Sequence, residues 1–233
     1  MPTGAVAVVT GAGRGIGRTI ALRLARGGFH IAAAARSQDE LAATQEAVET
    51  TGRRCEAVRT DVTDPRQVSD LVARCLDAWG RIDVWVNNAG AAPVARIADM
   101  DLAVFERMMA VNCHAVFYGC RAVWPIMKRQ GGGVIVNISS IAAVDPFPGF
   151  AAYGASKAWV NLFTSAAAAE GRADGIRVYA VAPGAVETRM LRDSFPDFPS
   201  DQTLDPDRVA AVVELLLDPR AAHSSGSVVY VRR

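Results

Sequence analysis

Lysine is almost missing from this chain. Of 25 lysine and arginine residues only Lys128 and Lys157 are lysine, so nearly every cation is a guanidinium. A position that keeps an ammonium in this background points to a need for a compact, three-donor charge, which arginine does not supply. Cysteine is sparse as well: Cys55, Cys75, Cys113 and Cys120 show neither C-x-x-C spacing nor a paired histidine. That speaks against a metal or redox centre and for buried thiols in a reducing compartment. The formal net charge is only +1, which leaves no general electrostatic pull toward nucleic acid or an anionic membrane. No apolar stretch reaches the roughly 18 residues of a membrane span without polar interruption. The N-terminal "MPTGAVAVVTGAG" lacks the basic-then-apolar pattern of a secretory signal, and a cytoplasmic protein is expected. His30, His114 and His223 stand in no partner pattern, so none is a candidate base or metal ligand.

What is present is a regular alternation. Short β-branched runs at 5–10, 29–35, 55–61, 82–90, 133–139, 176–183 and 227–232 read as seven strands. Helical patterns at 15–28, 37–52, 63–80, 101–130, 151–173 and about 206–217 separate them. Ser37 is a candidate N-cap with Glu40 three residues on, the spacing of a reciprocal capping pair. Asp64 is a candidate N-cap with Pro65 in the first helical position, and Pro125 is expected to kink or shorten the long fourth helix. Continuous apolar strands alternating with helices imply a parallel sheet covered on both faces. With 233 residues and no linker or repeat, the expectation is an α/β fold in one doubly wound Rossmann-type domain over 1–233, with a seven-stranded parallel sheet.

"TGAGRGIG" (10–17) falls where the first strand hands over to the first helix. Glycine there permits positive φ and lets the backbone approach a pyrophosphate at the positive end of the helix. The spacing Gly11-x-x-x-Gly15-x-Gly17 is a dinucleotide signal rather than a chemical one. Together with "NNAG" (87–90), Ser140, Tyr153, Lys157 and "PGAVET" (183–188), in order over about residues 5 to 230, it resembles the short-chain dehydrogenase/reductase family.

The end of the second strand in such sheets lies beside the adenosine ribose, where an acid suits the free hydroxyls and an arginine a 2′-phosphate. Here Ala35 stands where the acid is expected and Arg36 follows; Arg14 in the glycine loop can approach the same phosphate. NADP(H) is therefore the expected cofactor, and the resemblance implies the same preference. It also implies that Ile16 belongs to the pyrophosphate-binding turn and that Asp61, with Val62 beside it, contacts the adenine. Asn88, Ala89 and Gly90 are implied to lie under the nicotinamide-side ribose. Pro183 and Gly184 are implied to form the turn by the nicotinamide, with Val186 and Thr188 on its carboxamide.

A carbonyl being reduced needs a hydride on carbon and a proton on oxygen. Tyrosine can donate the proton, but its ordinary pKa of about 10 hinders exchange near neutrality. A desolvated ammonium backed by the oxidised nicotinamide's positive charge favours phenolate, and bringing that pKa down by roughly three units corresponds to about 4 kcal/mol. Tyr153 and Lys157 are four apart and share a helix face, so the lysine's expected roles are to lower the phenol and to hold the ribose hydroxyls. In the resembling family the serine 13 positions before the tyrosine, here Ser140, stabilises the substrate oxygen; Ser139 is its adjacent competitor and the spacing favours Ser140. Asn112, mid-helix where asparagine is a poor former, is implied to bend the helix and anchor a water linking Lys157 to solvent.

The segments 144–150 and 188–206 are expected to cover the pocket, the second as a lid. Phe147, Phe150, Phe195 and Phe198 are either pocket lining or local packing; Arg189 and Arg192 either meet an anionic group such as a carrier phosphopantetheine or stay on the surface. The resulting expectation is an NADPH-dependent reductase of a ketone or aldehyde, reversible to alcohol oxidation. A β-ketoacyl carrier-protein reductase is the first alternative, although "SGSVVYVRR" lacks that group's Gly-Gly ending, and a non-catalytic NADP-sensing module is the second. The family commonly assembles through the two long helices, so a homodimer or homotetramer is expected.

Overall fold

The computed structural model describes residues 4–233. Seven strands are present: Val6–Thr10 (β1), His30–Ala35 (β2), Cys55–Arg59 (β3), Val84–Asn87 (β4), Gly133–Ile138 (β5), Ile176–Pro183 (β6) and Val228–Val231 (β7). All neighbours pair in parallel, in the order β3-β2-β1-β4-β5-β6-β7. The order reverses between β1 and β4, which opens the crevice at the carboxyl ends of the strands where ligands bind in such sheets. The helices are Gly15–Arg26 (α1), Gln38–Glu49 (α2), Pro65–Trp79 (α3), Leu102–Met109 (α4), Ala115–Arg129 (α5), Ala151–Gly171 (α6), Arg189–Ser194 (α7) and Pro206–Leu216 (α8).

Strand alternation splits the apolar side chains between two cores. Ala7, Val9, Ile31, Val86, Val136 and Tyr179 face α1, α2 and α8 through Ile20, Leu24, Leu41 and Val213. Val8, Ala32, Trp85, Ile135 and Val178 face α3, α5 and α6 through Leu71, Val123, Met127 and Val160. Strands buried on both sides explain why the sequence shows continuous apolar runs rather than polar alternation. No helix among the described residues is long and apolar enough to cross a membrane.

The caps form largely as the sequence suggests. Asp64 accepts from Arg66 N at 2.9 Å with Pro65 in the first turn. Ser37 Oγ accepts from Glu40 N at 3.3 Å, but the Glu40 carboxylate does not return to Ser37 and points elsewhere. The expected 101–130 helix departs from the reading. Pro125 does not end it: α5 continues to Arg129 with Pro125 inside. Pro125 and Arg121, whose carbonyl loses its partner, are both exposed, so water can take the missing hydrogen bond. The interruption falls earlier, at a π turn over Ala110–His114 centred on Asn112. Segment 188–206 is not wholly irregular, since Thr188 Oγ1 accepts from Leu191 N at 3.3 Å and starts α7.

A buried polar chain crosses the second core. Trp85 Nε1 donates to Asn87 Oδ1 (2.7 Å), Asn87 Nδ2 to Asn137 Oδ1 (2.9 Å), and Asn137 Nδ2 to Thr164 Oγ1 (2.9 Å). It ties β4 and β5, registered at Asn87–Asn137, to α6 two turns beyond Lys157. Asn87→Ala strands Trp85 Nε1 and Asn137 Oδ1 in the interior, so urea unfolding should show a loss of about 2–4 kcal/mol.

Candidate active site

The carboxyl ends of the strands gather nearly every residue singled out above. Gly11 and Gly15 have φ of 64° and 53°, so the turn after β1 uses the left-handed region that glycine tolerates. A Cβ on Gly11 would lie 2.8 Å from Asn88 Nδ2, and one on Gly17 would overlap both Gly11 O and Asn88 Nδ2. Asn88 Nδ2 donates to Thr10 O (2.9 Å) and Gly11 O (3.2 Å), while Thr10 Oγ1 accepts from Asn88 N and Ala89 N. The "NNAG" turn is thus locked against the glycine loop. Buried Thr44 closes the loop from the α2 side, donating to Ala12 O at 3.0 Å.

The start of α1 differs from that of α2, α3, α4, α7 and α8. Arg14 at its N-cap makes no side-chain cap, and no acid lies in its first turn, whereas each of those helices is capped by Ser, Thr or Asp. The first-turn N–H groups of α1 thus have no side-chain cap, an arrangement that fits a pyrophosphate. Thr188 closes the far side: a Cβ on Gly15 would sit 3.4 Å from its methyl. Pro183 and Gly184 end β6, with Gly184 N on Val231 O (3.0 Å), and buried Val186 bridges to Leu204.

Beyond the end of β2 Arg36 is exposed, follows Ala35 and makes no ion pair among the described residues. Burial would raise the Asp61 carboxyl, but two Thr63 hydrogen bonds (2.7 and 3.0 Å) and the Arg36 charge outweigh it and hold the group below its ordinary value. Val62 is buried beside it.

Lys157 is buried to 4% exposure. Nζ donates to Ile138 O at 2.9 Å, and two of its three donors have no protein acceptor among the described residues. It lies 5.9 Å from the centroid of the Tyr153 ring. Ser139 and Ser140 diverge as strand alternation requires. Ser139 Oγ donates to Lys157 O (3.2 Å), and Ser140 turns its hydroxyl to the Tyr153 side while accepting from Ala142 N (3.2 Å). Asn112 clamps three segments: Oδ1 accepts from Ala91 N (2.9 Å), and Nδ2 donates to Ala91 O (2.8 Å) and Ser156 Oγ (3.0 Å). One Oδ1 lone pair remains. Oδ1 lies 3.6 Å from where a Cβ on Gly90 would be, with Lys157 Nζ 3.7 Å from the same point.

The electrostatics of the pair differ from the expectation. The packed surroundings of the Tyr153 phenol push it above its ordinary value, with Ser140 pulling the other way; the lowering by Lys157 is not seen. Nζ aims at Ile138 O, and burial acts on the ammonium instead, pushing it down to about 8. The unfolded chain keeps that proton up to the ordinary 10.5 and the folded chain releases it near 8. Unfolding therefore takes up a proton between those values, and the Lys157 contribution turns more favourable to folding as pH rises through 8. Subtracting the urea stability of Lys157→Met cancels the other titrating groups. That difference should move toward wild type by about 1 kcal/mol from pH 7 to 9.

Phe150 packs edge-on against Tyr153 (centroids 5.0 Å apart) and also meets Phe147 (4.3 Å) and Phe195 (5.8 Å). Phe147 is half exposed, so this cluster is a wall beside the phenol; Phe198 stands outside it. A cleft of about 300 Å³ runs between Arg14, the turn at Ala91–Pro93, and Met190 and Ser194 of α7. Neither Arg189 nor Arg192 is free. Arg192 is forked onto Glu187 and the Pro196 and Phe198 carbonyls, and Arg189 pairs with Glu40 at 3.3 Å. Thr44 and Ser156 also shape this site and carry no motif of their own. No cluster of three His, Cys, Asp or Glu side chains among the described residues is placed to hold a metal.

The model of the short chain dehydrogenase family matches residues 5–198. The chain is 35% identical over 240 residues to 3beta-hydroxysteroid dehydrogenase 1 of Eggerthella lenta, covering 98% of this chain and 92% of that protein. It is 36% identical over 231 residues to a 3-oxoacyl-[acyl-carrier-protein] reductase of Synechocystis, covering 96% and 94%. A 7α-hydroxysteroid dehydrogenase solved with NADH and 7-oxo glycochenodeoxycholic acid superposes with a TM-score of 0.93 at 29% identity, covering 98% and 93%. With its sheet order, crevice and ordered motifs, this chain belongs to the short-chain dehydrogenase/reductase family, oxidoreductases that act on carbonyl and alcohol groups.

Proposed function

We propose that the protein is an NADP(H)-dependent reductase of a ketone or aldehyde, reversible to alcohol oxidation, with Tyr153 as general acid and base. The observation that carries the reading is Lys157, a buried ammonium one turn from Tyr153 with two donors to spare. When bound, the cofactor supplies the hydride. The N–H groups of Gly15, Ile16 and Gly17 hold its pyrophosphate, Arg14 and Arg36 its 2′-phosphate, and Asp61 with Val62 its adenine. Asn88, Ala89 and Gly90 floor the ribose whose hydroxyls Lys157 binds, and Pro183, Gly184, Val186 and Thr188 fix the carboxamide.

Tyr153 gives its proton to the carbonyl oxygen while Ser140 Oγ donates a hydrogen bond to the same atom, where negative charge develops. A phenol kept neutral by its surroundings is ready to donate. Tyr153 regains its proton from solvent by way of Lys157, through a water that would be held by Asn112 Oδ1; Nζ and Oδ1 lie 3.7 and 3.6 Å from where a Cβ on Gly90 would be. Phe147, Phe150 and Phe195 keep bulk water from the phenol, and segment 188–206 acts as the lid over an apolar carbonyl compound. Arg189 and Arg192, both ion-paired, offer little to an acyl carrier. Exposed Leu102, Phe105, Phe117, Trp159 and Leu162 on α4, α5 and α6 support assembly as a homodimer or homotetramer through those helices. Four cysteines without a disulfide suit a cytoplasmic enzyme.

Initial rates with NADPH and NADH, each with an acetoacetyl thioester and a cyclic diketone, test the reading. The expected result is diketone reduction with kcat/KM at least about tenfold higher for NADPH, since two guanidiniums on a phosphate are worth about 1.5–3 kcal/mol. Preference for NADH would make it an NAD-dependent alcohol dehydrogenase, and turnover of the thioester alone would move it to acyl-chain metabolism.

A further inference from the structure

Glu40 follows the cap of α2, yet its carboxylate abandons the cap and crosses to the glycine loop. Oε1 accepts from Arg14 at 3.2 Å and from Arg189 at 3.3 Å, so one carboxylate joins the loop after β1 to the first turn of α7. Gly13 makes the space: a Cβ there would lie 2.9 Å from Glu40 Cβ and 3.0 Å from Oε2. Arg36, the other cation at this end of the crevice, has no ion-pair partner among the described residues. Glu40 is thus an internal anion, 28% exposed, on one of the two guanidiniums assigned to the cofactor phosphate.

We propose that Glu40 sets the margin by which this site prefers a 2′-phosphorylated dinucleotide, by competing with that phosphate for Arg14. The inference rests on the NADP(H) reading above. A 2′-phosphate that engages Arg14 either draws it away from Glu40 or settles beside a carboxylate, and both oppose binding. A ligand with a free 2′-hydroxyl meets neither cost. Glu40 thereby narrows the discrimination that Arg14 and Arg36 create and keeps the non-phosphorylated dinucleotide within reach.

The test is calorimetric titration with adenosine 2′,5′-bisphosphate and with 5′-AMP, the adenosine ends of the two cofactors, so no turnover is needed. Glu40→Gln keeps the side chain's size and removes its charge. It should bind the bisphosphate about three- to fivefold tighter, the scale of an exposed ion pair, and 5′-AMP within about twofold of wild type. In an Arg14→Gln background the same change should bring the gain to about twofold or less. Unchanged or weaker bisphosphate binding by Glu40→Gln overturns the proposal, as does equal tightening of both ligands or a full gain without Arg14. Wild-type protein that binds the two ligands alike refutes the NADP(H) reading instead. In that case a bisphosphate preference created by Glu40→Gln leaves the Glu40 inference standing, and none refutes it too.

Discussion

Gly17→Ala should weaken NADPH binding about 30- to 100-fold and lower the unfolding free energy by about 2–3 kcal/mol, the upper range of overpacking costs. The new Cβ would overlap Gly11 O and Asn88 Nδ2. Neither is a flexible chain end that can swing aside. Gly11 O accepts from Asn88 Nδ2 at 3.2 Å, Asn88 Nδ2 also donates to Thr10 O at 2.9 Å, and the Asn88 and Ala89 amides are fixed on Thr10 Oγ1. To admit a methyl, the glycine loop must separate from the turn after β4, which pulls the first-turn amides of α1 away from the turn at 88–90. Gly52→Ala is the matched control. Its φ is +78° and nothing lies within 4 Å of its added Cβ, so it should lose about 1–2 kcal/mol of stability through backbone strain alone. Its NADPH affinity, read by fluorescence titration, should stay within about twofold of wild type. Gly17→Ala binding within the same twofold would mean that the loop does not hold the cofactor.

The fold was legible because each strand is short, apolar and bounded by turn residues, and the starts of α2 and α3 carry Ser37 and Asp64 in cap positions. The proposed catalytic positions could be named because their spacing forms an ordered set. What escaped notice depends on partners distant in sequence. The Asn87–Asn137–Thr164 chain exists only once β4 and β5 are in register. Glu40 reads locally as half of a capping pair, and only the approach of Arg14 and Arg189 gives it another use. Pro125 was expected to kink or shorten its helix, but the helix continues past it and its outward position lets solvent complete the missing bond; the interruption, at Asn112, was signalled by an asparagine where helices disfavour one. For Arg192 the sequence left an anionic ligand and a surface role both open, and the bend of 187–200 brings Glu187 and two carbonyls around it.

Tyr153 also shows where charge counting misleads. The sequence pairs it with Lys157 and suggests a lowered phenol. In the structure Nζ turns to Ile138 O, the phenol is pushed up, and the lysine itself is the group pushed down, to about 8. Two charge-bearing side chains on one helix face need not titrate as a pair when main-chain acceptors and burial intervene.

Tyr153→Phe tests the account most directly. Phenylalanine keeps the ring against Phe150, 5.0 Å away, and leaves the glycine loop and Lys157 in place, so it removes one oxygen and one transferable proton. A positioned general acid contributes about 10²–10⁴ in rate, and with Ser140 left to steady the carbonyl oxygen alone the expected fall in kcat is about 10³-fold. The measurement is single-turnover oxidation of prebound NADPH on addition of the best ketone substrate, alongside an NADPH titration. The account predicts that about 10³-fold loss with NADPH affinity within about threefold of wild type. A variant that binds NADPH and still turns over at the wild-type rate would contradict it.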